Sequence, residues 1–281
     1  MEIVIFGEDG FTGTVIDSLV GKGHNIQSVI TPYYETSVYL NLERVTKKHH
    51  IPFLRVQNVN SEEIIHLMAQ LKPELIVSVH LRKILKKDIF SAAQKGAINV
   101  HPSLLPKYRG MSPQHQALIH GDTEAGVTVH FIDENVDTGK IILQEHFPIL
   151  ENDYIVDVQL KVMDVYKSIV ANAVELIDRG FQGKEQETAT LSYFGPIRKA
   201  DREIHLNKPA REIYNLIRAL SMPYQGAFYE NFTVWNSRFP SAEEENYFKQ
   251  EYPTAGLYVK DGQLLIRLHE EILISDNFNI L

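Results

Sequence analysis

Glu2-Ile3-Val4-Ile5-Phe6-Gly7-Glu8-Asp9-Gly10-Phe11-Thr12-Gly13 sits at the start of the chain. A β-branched apolar run over 3–6 stops at a glycine turn, and an amphipathic stretch over 11–20 follows and ends at Gly21 and Gly23. That is strand, turn, helix. The alternation repeats, with strands expected at 26–30, 53–56, 75–79 and 97–101 and helices at 39–50 and from the Ser61 cap onward, where Glu62 and Glu63 fill the first turn. Helices that separate successive strands require parallel pairing, so the first hundred residues predict an α/β fold around a parallel sheet. Strand order is not dictated by this pattern. The glycine spacing G-x-x-G-x-x-G differs from the dinucleotide fingerprint, and no acid closes the second strand at Ile30, which sets aside an oxidoreductase.

Further along, 127–132 and 140–149 alternate as two strands joined by Asp133-Glu134-Asn135-Val136-Asp137-Thr138-Gly139, a loop dense in turn formers and acids. One long helix is expected to carry Val162, Met163, Tyr166, Ile169, Val170, Ala173, Val174 and Ile177, and to stop at Gly180. This divides the chain into a catalytic domain over 1–180, a linker and acceptor-side loop over 181–206, and a small α+β region over 207–281. In the last region Asn207 is the expected cap of a helix with Pro209 in its first turn and Ile213, Leu216, Ile217 and Leu220 on one stripe. Short strands at 227–235, 257–259, 264–268 and 272–274 follow, Asp261-Gly262 signals a hairpin, and 241–253 reads as an acidic solvated excursion.

With no cysteine, the chain has no thiolate nucleophile, disulfide or Cys-ligated zinc, and no metal site is expected. No apolar run is long enough to span a bilayer and the amino terminus lacks a signal-peptide pattern, so a soluble, cytoplasmic protein without membrane contact is expected. A formal charge of -8 opposes a nucleic-acid partner, because gripping a phosphate backbone takes a basic face.

Asn99 and His101 are two residues apart at a strand end, so both side chains leave one face, and Pro102 stops the ladder after them. An amide and an imidazole thus stand together at a carboxyl edge, where open α/β sheets bind their ligands. The stretch continues as Asn99-Val100-His101-Pro102-Ser103-Leu104-Leu105-Pro106-Lys107-Tyr108-Arg109-Gly110, with Gly126-Val127-Thr128-Val129 and Val136-Asp137-Thr138-Gly139 further on. In identity, order and spacing this resembles the 10-formyltetrahydrofolate-dependent formyltransferases, over about residues 1 to 230. The resemblance implies a Rossmann-like catalytic domain and a triad of Asn99, His101 and Asp137. Formyl transfer passes through a tetrahedral oxyanion that needs donors in a dry site, and Asn99 offers a non-ionising N–H. His101 would donate to the oxyanion or shuttle the proton between the two nitrogens. Asp137 would favour the charged imidazole, orient it, or take the amine proton through water.

The same resemblance places the pterin of 10-formyltetrahydrofolate against backbone of His80, Leu81, Arg82, Ile84 and Leu85 and of Ile132 to Val136. Ser103, Leu104 and Leu105 would form a wall beside the formyl group, the two leucines being equally readable as core. Among relatives, glycinamide ribonucleotide formyltransferase uses a phosphate turn where this chain has Glu8-Asp9, and the deformylase has an additional amino-terminal domain. The sugar N-formyltransferases are similar in size, over 201–224 and at Pro223-Tyr224-Gln225-Gly226-Ala227-Phe228. That similarity implies a nucleoside-diphosphate-linked amino sugar as acceptor, such as a dTDP- or UDP-4-amino-4,6-dideoxy sugar for surface polysaccharide, held by Tyr193, Arg198, Lys199 and Tyr224. The tail, unlike a tRNA-binding barrel, would pair across a twofold axis in a homodimer. Methionyl-tRNA formyltransferase and a catalytically idle folate-binding protein are the alternatives.

Overall fold

The computed structural model describes residues 1–33, 40–187 and 191–280; Tyr39, the expected helix start, and 188–190 of the expected linker lie outside the described residues. The chain forms two compact units. The first comprises Met1–Gly110, Gly126–Phe147 and Lys161–Tyr193, and the second Met111–Ala125, Pro148–Leu160 and Phe194–Leu281.

In the first unit, β1 (Glu2–Gly7), α1 (Gly10–Gly21), β2 (Asn25–Pro32), α2 (Leu40–Lys48), β3 (Phe53–Val56), α3 (Glu62–Leu71), β4 (Leu75–Val79), α4 (Lys87–Phe90) and β5 (Ala97–His101) alternate as the sequence pattern predicts. After the short β6 (Arg109–Gly110), β7 (Glu124–Phe131) and β8 (Ile141–Pro148) complete a seven-stranded sheet of order β3-β2-β1-β4-β5-β7-β8. Pairing is parallel from β3 through β5 and antiparallel between β5 and β7. Ile3, Val4, Ile5 and Phe6 are all fully buried, as a central strand covered on both faces must be. Strands β2 and β4 flank β1, so the connections reverse direction there. The crevice outside the carboxyl ends of β1 and β4 is the fold's natural ligand position.

The expected long helix is two: α6 (Ile155–Tyr166) and α7 (Ile169–Asp178), broken at Lys167-Ser168. The Lys167 carbonyl accepts instead from Ser18 Oγ on α1, at 2.6 Å, a tertiary partner that the helical periodicity cannot reveal. Gly180, with φ +87°, ends α7 as expected.

The second unit begins with α5 (Pro113–Ile119) and continues, after the two-residue β9 (Tyr193–Phe194), into α8 (Ala210–Ala219). Asn207 is not the cap: α8 begins after Pro209, and the Ala210 N–H donates to Glu271 Oε2 at 2.8 Å, an acceptor from a distant loop. Ile213, Ile217 and Leu220 are buried as expected. Strands β10 (Ala227–Tyr229) and β11 (Phe232–Val234) form one antiparallel sheet with β15 (Phe278–Ile280), whose pairing the pattern did not predict. A second antiparallel sheet consists of β12 (Gly256–Lys260), β13 (Gln263–Arg267) and β14 (Ile272–Ser275). Asp261 (φ +52°) and Gly262 (φ +80°) make its first turn, the backbone that a two-residue hairpin requires. The acidic stretch is a helix, α9 (Ala242–Glu251), opened by a Ser241–Glu244 capping box; its sequence signal lies in Ser241-Ala242-Glu243-Glu244 and outweighs the net acidity.

Candidate active site

Register brings the polar groups together. On β5, Asn99 pairs across to His130 of β7 and His101 to Thr128, so His130 lies beside Asn99 near the carboxyl end of β5. The loop after β7 folds on Asp133, whose Oδ1 accepts from the Asn135 N–H at 3.1 Å and from Thr138 Oγ at 2.6 Å. It turns through Asp137 in the left-handed region, φ +54°, which directs that carboxylate back at β5. Such a conformation in a non-glycine residue is paid for by its surroundings. Gly139 then passes directly over β7, where a Cβ would collide with the Phe131 carbonyl.

Asp137 is the hub. Its Oδ2 accepts from the Gly110 N–H at 2.8 Å and lies 3.5 Å from His101 Nδ1, while Oδ1 lies 3.5 Å from both Asn99 Nδ2 and His130 Nε2. His101 Nε2–H donates to the Tyr108 carbonyl at 2.8 Å, and His130 Nδ1–H donates to the Phe131 carbonyl, also at 2.8 Å. Because a carbonyl only accepts, these bonds fix both tautomers, leaving His101 Nδ1 as the atom that gains or loses a proton and His130 Nε2 as an acceptor. Asn99 Nδ2 donates to His130 Nε2 at 3.3 Å. Burial alone would raise the Asp137 carboxyl, but the His101 and His130 rings and the Gly110 N–H hold it well below the usual carboxylate range. Burial pushes the His101 imidazole below its ordinary 6.5, against the opposing pull of Asp137. At neutral pH the pair is therefore a carboxylate facing a neutral ring. Neutral His101 and ionised Asp137 both contribute stability that is present above their unfolded values and is lost on acidification.

Asn99, His101 and Asp137 are thus brought together. His130 was not among the expected site residues, because its place beside Asn99 depends on the antiparallel β5–β7 register.

At the crevice between β1 and β4, His80 follows β4 with φ +50°, stacks on Phe11 with centroids 4.3 Å apart, and donates from Nδ1 to Asp9 Oδ2 at 3.0 Å. Its Nε2 is buried without a hydrogen-bond partner. Arg82 holds buried Glu8 through its N–H (2.6 Å) and Nε (2.7 Å), and Asp9 caps α1. The Glu8 carboxylate is therefore charge-compensated, not presented bare to a ligand. Leu81 and Ile132 pack partly against the core and Leu85 lies in it, whereas Ile84 is 71% exposed and Val136 36%. Thr128 Oγ ties the 103–105 segment by donating to the Ser103 carbonyl at 2.6 Å and accepting from the Leu105 N–H at 3.1 Å. Leu105 is core; Leu104 rests where Gly126 leaves room for it.

The four expected acceptor residues do not fall in one unit. Tyr193, 61% exposed, belongs to the first. In the second, the Arg198 N–H donates to Asp201, Lys199 Nζ stands 5.5 Å from the Phe228 ring centroid, and Tyr224 packs its ring against the edge of His115 at 4.5 Å. Among the described residues, no group of three or more His, Asp or Glu is disposed to hold a metal ion, and no helix is long and apolar enough to cross a membrane.

Gly139→Ala is expected to destabilise the first unit by about 1–3 kcal/mol through this overpacking and to lower turnover by displacing Asp137. Urea denaturation checks it; an unchanged midpoint would show that the loop yields freely.

An open α/β sheet carries half-buried Asn99 and Asp137 around buried His101 at the carboxyl end of β5, an arrangement suited to group transfer of the acyl type. The sequence model for formyl transferase matches residues 1–174 and that for the formyl transferase C-terminal domain matches 196–277. The chain belongs to the formyl transferase family and is an enzyme of that class. The second match carries the likeness past residue 230, where the sequence motifs thin. Solved structures share the fold. WlaRD, a sugar 3N-formyl transferase crystallised with dTDP and 5-N-formyl-THF, is 21% identical with a TM-score of 0.75, over 98% of this chain and 96% of its own. An N-formyltransferase from Helicobacter canadensis in complex with folinic acid and dTDP-3-aminofucose is 20% identical with a TM-score of 0.77, over 99% of each chain. Glycinamide ribonucleotide transformylase 1 from Symbiobacterium toebii is 23% identical with a TM-score of 0.59, over 66% of this chain and 93% of its own.

Proposed function

We propose that this enzyme transfers the formyl group of 10-formyltetrahydrofolate to the amine of a nucleoside-diphosphate-linked amino sugar, dTDP- or UDP-linked, for surface polysaccharide. The observation that carries the acceptor assignment is the end-to-end likeness of both units to two sugar N-formyltransferases, one of them holding a folate together with a dTDP-amino sugar. The net charge of -8 disfavours initiator tRNA, the runner-up.

The residues fit a folate at the β1–β4 crevice. The unpartnered His80 Nε2, its tautomer set by Asp9, is an acceptor for a pteridine N–H, and Ile84 and Val136, on the two loops expected to meet the pterin, expose apolar side chains. When bound, the folate supplies the electrophilic formyl carbon. The Asn99 N–H meets the charge that develops on the formyl oxygen. The proton leaving the amine reaches His101 Nδ1, where the Asp137 carboxylate stabilises the imidazolium, and then passes to the departing folate nitrogen. Products are the formamide of the sugar and tetrahydrofolate.

Acceptors offered side by side test this: dTDP- and UDP-linked 3-amino and 4-amino dideoxy sugars, glycinamide ribonucleotide and charged initiator tRNA, with product mass as readout. Formylation of a sugar nucleotide is expected. Formylation of tRNA or glycinamide ribonucleotide alone would overturn the assignment.

A further inference from the structure

Gln186 lies in the stretch that the sequence presents as linker, yet a two-way bridge pins it beside β8: the Ile141 N–H donates to the Lys184 carbonyl and the Lys184 N–H to the Ile141 carbonyl, each at 2.8 Å. Its amide is used at both ends. Nε2 donates to the Asp137 carbonyl at 2.9 Å and to the Gly139 carbonyl at 2.8 Å, so it spans the turn that holds Asp137 in its left-handed conformation. Oε1 accepts from Arg109 Nη2 at 2.6 Å and Nε at 3.2 Å, and Arg109 is itself buried. The next residue, Gly110, donates its N–H to the Asp137 carboxylate. The contacts close a circuit. Asp137 is held at its carboxylate by Gly110 and at its carbonyl by Gln186, and Arg109 joins the two holds.

We propose that Gln186, backed by Arg109, is a positioning residue that fixes the aim of the Asp137 carboxylate at His101 and Asn99 during formyl transfer. The inference rests on the reading of Asp137 as part of the reacting constellation. Both functions of the amide are needed: a carboxylate at 186 would still accept from Arg109 but would face the two carbonyls with no proton to donate. The circuit contains none of the side chains assigned to folate or acceptor contact, so the effect is expected in turnover and not in affinity.

Gln186→Ala and Gln186→Glu are each made in the wild-type and Asp137→Asn backgrounds of the full chain, with melting temperature recorded for each. Both are expected to lower kcat by about 10- to 100-fold with the KM of either substrate little changed, since small misplacements of a reacting group cost this much. In the Asp137→Asn background they are expected to cost nothing further, because a brace without its carboxylate has nothing to aim. Losses that multiply in the double variants would make Gln186 a general structural residue and overturn the proposal, as would full turnover in Gln186→Glu. If Asp137→Asn alone keeps full turnover, the reading of the site fails first; if it collapses while the Gln186 variants do not, only the brace fails.

Discussion

His101→Ala lowers kcat for formyl transfer by about 10²- to 10⁴-fold, the loss expected when a proton-transferring group is removed. The ring's Nε2 is committed to the Tyr108 carbonyl and its Nδ1 faces Asp137 at 3.5 Å, so a single nitrogen is available to receive and release the proton. Burial places the ring's titration below 6.5, which keeps it neutral and ready to accept at neutral pH. As pH falls, His101 binds a proton before the amine can deliver one, and kcat/KM drops along an acid limb below that value. The variant lacks that limb. Superimposable pH–rate profiles for the two proteins would make the ring structural. Removing it also deprives the buried Asp137 of the largest influence that lowers its pKa, so the carboxyl rises toward its ordinary value in the variant. Carbon-detected NMR titration of the Asp137 side chain measures this independently of turnover.

Asn99→Ala lowers kcat by about 10²- to 10³-fold while folate affinity stays nearly intact, because an N–H aimed at a developing oxyanion acts in the transition state and little in the ground state. In the resting structure Asn99 Nδ2 bridges His130 Nε2 and Asp137 Oδ1 at 3.3 and 3.5 Å, long contacts that can be exchanged for a shorter one to an incoming oxygen. Single-turnover kinetics with separate folate titration resolves the two quantities. Equal loss in binding and turnover would assign Asn99 to cofactor recognition, and unchanged turnover would remove it from the reaction.

Much of this enzyme was legible without coordinates. Three of the parallel strands, at 53–56, 75–79 and 97–101, begin and end where the sequence pattern places them, because turn formers and prolines bound these short apolar-rich runs. Asn99 and His101 were found because alternation along a strand and a following proline are local facts. Elsewhere local signals misled. Ser241 and Glu244 spelled a capping box, but the surrounding acids suggested solvated coil. The periodicity across Tyr166 and Ile169 hid a break that Ser18 stabilises from another helix.

The sequence by itself determined the α/β class and, through motif resemblance, the family, and covalent spacing was enough to place an amide and an imidazole on one strand face. The tertiary structure alone decided the strand order, the pairing of Asn99 with His130, and the circuit through Arg109 and Gln186 that holds Asp137. These contacts join residues far apart in the chain through hydrogen bonds 2.6 to 3.3 Å long. Such bonds are directional and short in range, and no periodicity or motif in the chain encodes which distant partner will complete them.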